Sequence, residues 1–361
     1  MSDLPTVDVV INNRDYAEFL GASIASARAQ THDRVKVIVV DDGSTDGSRE
    51  LLARLDGDVA VILKQNGGQA SALNAGFAEC EGDVVIFLDA DDVLRPDAAA
   101  RVAEAFAADD GLSKVQFRME IIDARGRPTG EIKPEPHLEM PNGDLREAEL
   151  AYPYDLVWMA TSANAFRADA LRRIMPIPER AYPVTGADWY LVHLTALLGR
   201  VASLDAVGAG YRVHGRNSYE LGGAELNLGR VRQAVEFAEA TSRELLLLAE
   251  KIGQPHPPGI LSIADLANRM VSLRLDPARH PLASDRRPGL VRDCVAACRR
   301  RDNASIAVKA LFVVWFAAMA IAPRPLARRL AVLFLFPARR RSLNRLLGRL
   351  QGSTGRRVQV A

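Results

Sequence analysis

Cysteine is scarce. Cys80, Cys294 and Cys298 are the only three in 361 residues, too few and odd in number for a disulfide framework, which points to a reducing compartment. Cys294 and Cys298 stand one helical turn apart with no further Cys or His to complete a zinc site, so both are expected to pack. The N-terminus lacks a basic segment followed by an apolar stretch, so no signal peptide is expected. Apolar runs of membrane-spanning length are also missing: Ala310 to Pro323 is fourteen residues long, short of the ~20 that cross a bilayer. Acids nearly vanish from the C-terminus. Residues 299–361 hold fourteen Lys or Arg and one acid, Asp302, out of chain totals of 46 and 45. Residues 1–298 therefore carry 32 basic and 44 acidic residues, about −12, against about +13 for the tail. A basic tail calls for a polyanionic partner.

What is present reads as globular. At 48% hydrophobic and 25% charged, the chain fits neither a disordered nor a membrane-embedded class, and its length suggests about two domains. Short apolar runs alternate with helical stretches. Val7 to Ile11, Val35 to Val40, Val59 to Leu63 and Val84 to Leu88 read as buried strands. Helices are expected over Tyr16 to Ala29, Ser48 to Leu55, Gln69 to Cys80 and from Pro96, a favoured first-turn residue, to Ala107. This alternation predicts βαβ units, an α/β fold and a mostly parallel sheet. Further on, a hairpin is expected at Asp123 to Gly126, a Pro-rich loop over Lys133 to Pro141, a Thr-capped helix over Thr185 to Leu198 and strand character over Val201 to Val213.

Ligands of such sheets bind outside the carboxyl ends of the strands, and there the polar residues gather. Asn12-Asn13-Arg14, Asp41-Asp42-Gly43-Ser44, Asn66-Gly67-Gly68 and Asp89-Ala90-Asp91-Asp92 each follow one strand. Three carboxylates within four residues repel one another. A hard divalent cation, Mg²⁺ or Mn²⁺, would make that cluster favourable; a solvated loop with Asp92 capping the next helix is the alternative. Asp42 can accept a base N–H or form an Asx turn, and turn roles suit Asp46 and Asp41. Gly67-Gly68 allows close backbone approach of a ligand, or is only a turn.

The series Asn13-Arg14 with Tyr16, Val40 to Asp46, Asn66 to Gly76 and Phe87 to Asp92 resembles the family 2 glycosyltransferases of the GT-A fold, closely over residues 5–110 and more loosely to about 220. The resemblance implies a GT-A domain over 1–220, with a nucleotide-sugar half over 1–110 and an acceptor half over 111–220. It implies an inverting transfer from a UDP-, GDP- or dTDP-sugar, UDP foremost. The implied donor-binding residues are Asn12, Asn13, Arg14, Asp41, Asp42, Asn66, Gly67, Gly68, Asn74, Asp89, Ala90 and Arg212. Asp42 would hold the base, Asp89 the ribose or sugar, and Asp91 the metal. Asp188 matches the family's catalytic base at a helix start, the alternative being an ordinary first-turn acid. Arg212-Val213-His214 resembles a later Y-R-x-H segment, making His214 a metal or diphosphate ligand and Arg212 a phosphate neutraliser. Three departures stand out: Asn12 replaces a common Tyr, Ala187 replaces the usual Glu before the base, and no Arg-Trp dipeptide occurs, which favours single addition over polymerisation.

Residues 221–361 form a helical, Arg-rich extension. Arginines bracket Ala310 to Pro323 and Leu330 to Phe336, a composition suited to helices in an anionic membrane interface or to a helical cap with a solvated arginine face. Nucleic acid is not expected, because no recognition motif accompanies the arginines. A glycan or lipid-linked acceptor at the inner membrane face follows from the first option. Two other activities remain open: a degenerate GT-A module that binds without turnover, and a nucleotidyltransferase, although the latter's phosphate loop after strand one is missing.

Overall fold

The computed structural model describes residues 4–55, 57–217, 226–301 and 304–336. They divide into two compact units, Met1–Arg146 with Trp158–Glu220, and Glu147–Val157 with Leu221–Ala361. Segment Glu147–Val157 thus leaves the 1–220 region drawn from sequence and joins the helical part.

The first unit opens β1 (Val7–Asn13), α1 (Ala17–Arg28), β2 (Val35–Asp42), α2 (Ser48–Leu52), β3 (Val59–Lys64), α3 (Gln69–Ala78) and β4 (Val84–Asp89). After β5 (Val93–Leu94) and α4 (Ala98–Ala108), β6 (Leu112–Ile122) and β7 (Pro128–Lys133) form the expected hairpin. In the second unit lies most of α5 (Arg146–Ala151). The first resumes with β8 (Asn164–Arg167), α6 (Ala168–Arg172), α7 (Ala187–Ala196) and β9 (Arg200–Arg212).

One sheet runs β3-β2-β1-β4-β8-β6-β9-β5, with β7 on β6. β1 to β4 pair in parallel, and the inner strands, covered on both faces, are apolar over most of their length. Accordingly Val7, Val9, Val10 and Ile11 are all wholly buried. α3 lies so close to the sheet that a Cβ on Gly76 would stand 2.3 Å from Val10 Cγ1. The chain winds from β1 to β2 and β3 on one side, then returns to β4 on the other, and open sheets bind ligands at such a reversal. Pairing brings Asn13 beside Asp41, Asp42 beside Lys64, and Asn12 beside Asp89. The four strand ends therefore share one edge.

Beyond β4 the sheet becomes mixed. β8 runs antiparallel between β4 and β6, a strand of four residues that no alternation announces. Thr185 does not cap α7: Gly186 does, in the left-handed region at φ 90°, with no side-chain cap.

The second unit is helical, with α8 (Leu228–Ile252), α9 (Ile263–Leu275), α10 (Arg287–Arg300), α11 (Ile306–Ile321) and α12 (Arg324–Leu335). Leu266, Met270, Cys294, Cys298, Phe312, Phe316 and Met319 form its core, so both tail cysteines pack as expected. Asp155 accepts the first two N–H groups of α9 and pairs with Arg301 at 2.8 Å, both side chains buried. Among the described residues, no helix is long and apolar enough to cross a membrane.

Candidate active site

The acidic cluster closes β4. Asp89 Oδ1 accepts from Asn12 Nδ2 at 3.0 Å and from Gln69 Nε2 at 3.3 Å. Its backbone N–H donates to Ser162 Oγ. Burial, then the charges of Asp91 and Asp188, push its carboxyl up to about 7, partly offset by the Asn12 and Gln69 bonds. Asp188 is thus electrically within reach of Asp89 although 99 residues separate them in sequence. Asp92 is buried and accepts the Arg212 N–H of β9 at 2.9 Å. It caps no helix, since α4 starts at Ala98 after Asp97. Burial and its two acidic neighbours hold Asp92 well above the usual carboxylate range.

Asp91 and His214 meet directly. His214 Nε2 stands 3.0 Å from Asp91 Oδ2, with Asn217 Nδ2 at 3.5 Å from the same oxygen. Asn217 Oδ1 also accepts the His214 N–H, fixing the turn. Phe19 and Tyr16 pack against the imidazole at 4.6 and 5.5 Å between centroids. A carboxylate and an imidazole side by side are both donor types that Mn²⁺ accepts. Among the described residues no group of three acids, His or Cys is placed to hold a metal ion.

Gln69 ties this cluster to α7. While its Nε2 reaches Asp89, its Oε1 accepts the N–H groups of Gly186 and Ala187 at 3.0 and 3.2 Å. Asp188 follows at once, its Oδ1 accepting the Trp189 N–H. Burial raises the Asp188 pKa, against that N–H and the charges of His193 and Lys114. Ala187 is wholly buried.

Residues 7–174 match the model of "Glycosyl transferase family 2". The chain is a glycosyl transferase family 2 protein. An uncharacterized glycosyltransferase of Nostoc is 35% identical over 218 residues, covering 59% of this chain and 66% of that protein. The undecaprenyl-phosphate 4-deoxy-4-formamido-L-arabinose transferase of Aeromonas hydrophila is 39% identical over 112 residues, 29% of this chain and 34% of that one. The chain thus spans about two thirds of the first relative's length and one third of the second's. In fold, it resembles S. aureus TarS 1-349 (TM-score 0.53, 15% identity, 90% of each chain). It also resembles the Pyrobaculum calidifontis mannosyltransferase PcManGT solved with GDP-Man and Mn²⁺ (TM-score 0.50, 18% identity, 95% and 88% covered). The GT-A architecture expected from sequence is therefore present.

In this family 2 protein several residues expected to touch the donor hold the protein together. Asn13 is buried and donates to Asp41 and Ser44. Asp41, wholly buried, also accepts from Ser44 N–H and Arg49, and these bonds outweigh burial to keep its pKa low. Asn74 clamps the N–H and carbonyl of Ile177. Ala90 is a buried spacer whose N–H bonds Asn12 O. Arg212, expected as a phosphate neutraliser, is buried, with its guanidinium on the carbonyls of Asp91, Asp123 and Ala124.

The transferase keeps other expected groups at the edge. Asp42 accepts Lys64 Nζ and the N–H groups of Gly67 and Gly68 at 2.7 to 2.9 Å, which leaves one Oδ2 lone pair for a ligand. Half-exposed Arg14 donates to Asn66 Oδ1, linking the first and third strand ends with donors to spare. Gly68 serves the protein's own backbone: at φ 86° its Cβ would stand 2.1 Å from Pro183 O. Sequence reasoning gave no role to Gln69, Ser162 or Asn217. Gln69 sits in the Asn66-Gly67-Gly68-Gln69 motif, a signal that was available; Ser162 has none.

Proposed function

We propose that the chain transfers one sugar from a nucleotide-diphosphate sugar, UDP-linked foremost, to an acceptor hydroxyl with inversion at the anomeric carbon. The observation that supports this reading is the Gln69 bridge, which joins Asp89 to the Gly186 and Ala187 N–H groups at the start of α7, while Asp91, two residues on from Asp89, meets His214. Asp42 and Arg14 line the nucleotide end. Asp89 accepts a sugar or ribose hydroxyl. Asp188 takes the acceptor proton as the acceptor oxygen bonds to the anomeric carbon and the sugar–phosphate bond breaks, its electron pair leaving with the diphosphate. A carboxylate raised by burial is a stronger base than a solvated one, which suits that role. Asp91 and His214 would hold Mn²⁺ or Mg²⁺, which when bound supplies neutralisation of the leaving diphosphate.

The solved neighbours carry UDP-GlcNAc and GDP-Man, and the Aeromonas relative is named for an undecaprenyl-phosphate substrate. These support a nucleotide-sugar donor and a glycan or lipid-linked acceptor at the inner membrane face. The absent Arg-Trp dipeptide supports single addition.

Thermal shifts with UDP-, GDP-, dTDP- and CMP-sugars, with and without Mn²⁺, test the reading. The matching donor should raise Tm through binding to the native state. Asp91→Ala should lose the Mn²⁺-dependent part. Asp188→Asn should keep the shift and lower kcat by roughly 10² or more. Full transfer by Asp188→Asn would remove Asp188 as the base.

A further inference from the structure

The second unit carries an apolar face that its own core does not use. Val308, Phe312, Trp315, Phe316 and Met319 of α11 are buried in that core. On the opposite side, Ile306, Ala310, Val314, Ala317 and Ile321 are exposed. Their spacing of 4, 4, 3 and 4 residues keeps them within an arc of about 80° on a helix turning ~100° per residue. The stripe runs ~22 Å at ~1.5 Å per residue. Ile306, Val314 and Ile321 are 86%, 63% and 85% exposed. The helix's one charge, Lys309, bonds the Arg301 carbonyl. A helix apolar all round needs a second apolar neighbour, and α11 is too short to find it by crossing a bilayer.

The adjoining helix indicates which neighbour. α12 packs through Phe334 on Trp315, 4.3 Å between ring centroids, and exposes Leu326 and Leu333 with Arg328 and Arg329. From Ala304 to Ala361 the sequence has no Asp or Glu. A second copy docked by this face would bring arginines with no acid from this stretch to pair them. Anionic headgroups would pair them while acyl chains cover the stripe, the arrangement of an in-plane amphipathic anchor.

We propose that the exposed face of α11, with Arg328 and Arg329 of α12, is a docking surface for an anionic lipid bilayer. The face lies in the plane of the membrane, with apolar side chains in the acyl boundary and guanidinium groups at the phosphates. It stands independently of the sugar-transfer reading.

Flotation of the full chain with vesicles of phosphatidylcholine and phosphatidylglycerol, against phosphatidylcholine alone, tests it. Binding should be at least tenfold tighter to the anionic vesicles. The triple variant Ile306→Gln, Val314→Gln, Ile321→Gln alters only exposed side chains. It should keep its circular dichroism and Tm, and lose at least tenfold in vesicle affinity. Arg328→Glu with Arg329→Glu should abolish most of the preference for anionic lipid. Three results would each overturn the proposal: no vesicle binding by the wild type; undiminished binding by the triple variant, which would assign binding to the arginines after residue 336; or a wild-type dimer that the triple variant converts to monomer with vesicle binding unchanged.

Discussion

At Gly68, the residue before α3, the backbone packs directly against the chain at Pro183. A Gly-Gly pair at a strand end suggests room for a ligand, yet the atom that excludes a side chain is Pro183 O, 2.1 Å from where a Cβ would lie. With φ 86° and ψ 175° it occupies backbone space nearly confined to glycine. Gly68→Ala should cost more than ~2 kcal/mol, conformational strain adding to a clash with rigid backbone. Urea melts measure this directly; an unshifted midpoint would show that the 183–184 segment yields freely. The same contrast runs through the site. Asp89 and Asp91 were legible because carboxylates crowded at a strand end need an explanation from chemistry. The turn from Asp41 to Ser44 was legible too, but Asn74 and Arg212 were not, because their partners lie 88 to 121 residues away and no local pattern announces them. A polar side chain at an edge looks the same in sequence whether it faces a ligand or a carbonyl.

The parallel strands β1 to β4 could be read to within about two residues: burial on both faces forces nearly unbroken apolar runs in β1, β2 and β4, and the edge strand β3 is apolar although Val61 and Leu63 are exposed. β8 could not: its four residues carry no period long enough to detect. α7 was found but its cap was misassigned, because Thr185 satisfies the side-chain preference while Gly186 supplies the left-handed turn. Where a side-chain cap is present it should be measurable. Asn227 Oδ1 accepts the N–H groups of Gly229 and Arg230 at the start of the 25-residue helix α8. Asn227→Ala should therefore destabilise the protein by about 1 kcal/mol, and Asn227→Gly by only a few tenths. No loss from either substitution would show that the cap contributes nothing.

For the molecule as a whole, the helical unit has its own response to pH. Burial, opposed by the Arg269 charge and bond, pushes Asp265 in α9 up to about 7. Its folded pKa lies above the ordinary Asp value of ~3.9. The folded state therefore holds a proton that the unfolded chain releases. The stability this contributes is complete below about 4 and is lost as pH rises through about 7. Asp285 acts in the opposite sense. Despite burial, its bonds to Arg269 and His280 depress its pKa, so its contribution is present above ~3.9 and fades as pH falls through its lower folded pKa. Asp265→Asn should flatten the decline in stability between about pH 4 and 7, read from denaturant midpoints of the whole chain. An unchanged slope would assign that decline to other groups.

The Gln69 bridge also limits how this protein can be recombined. Its one amide faces both the acidic cluster and the first peptides of α7, so two segments far apart in sequence share a single connector. A chimera that imports residues 176–198 from a relative inherits a helix start shaped to whatever that relative carries at position 69. Segment grafts should therefore keep this helix start in place only when position 69 travels with the graft.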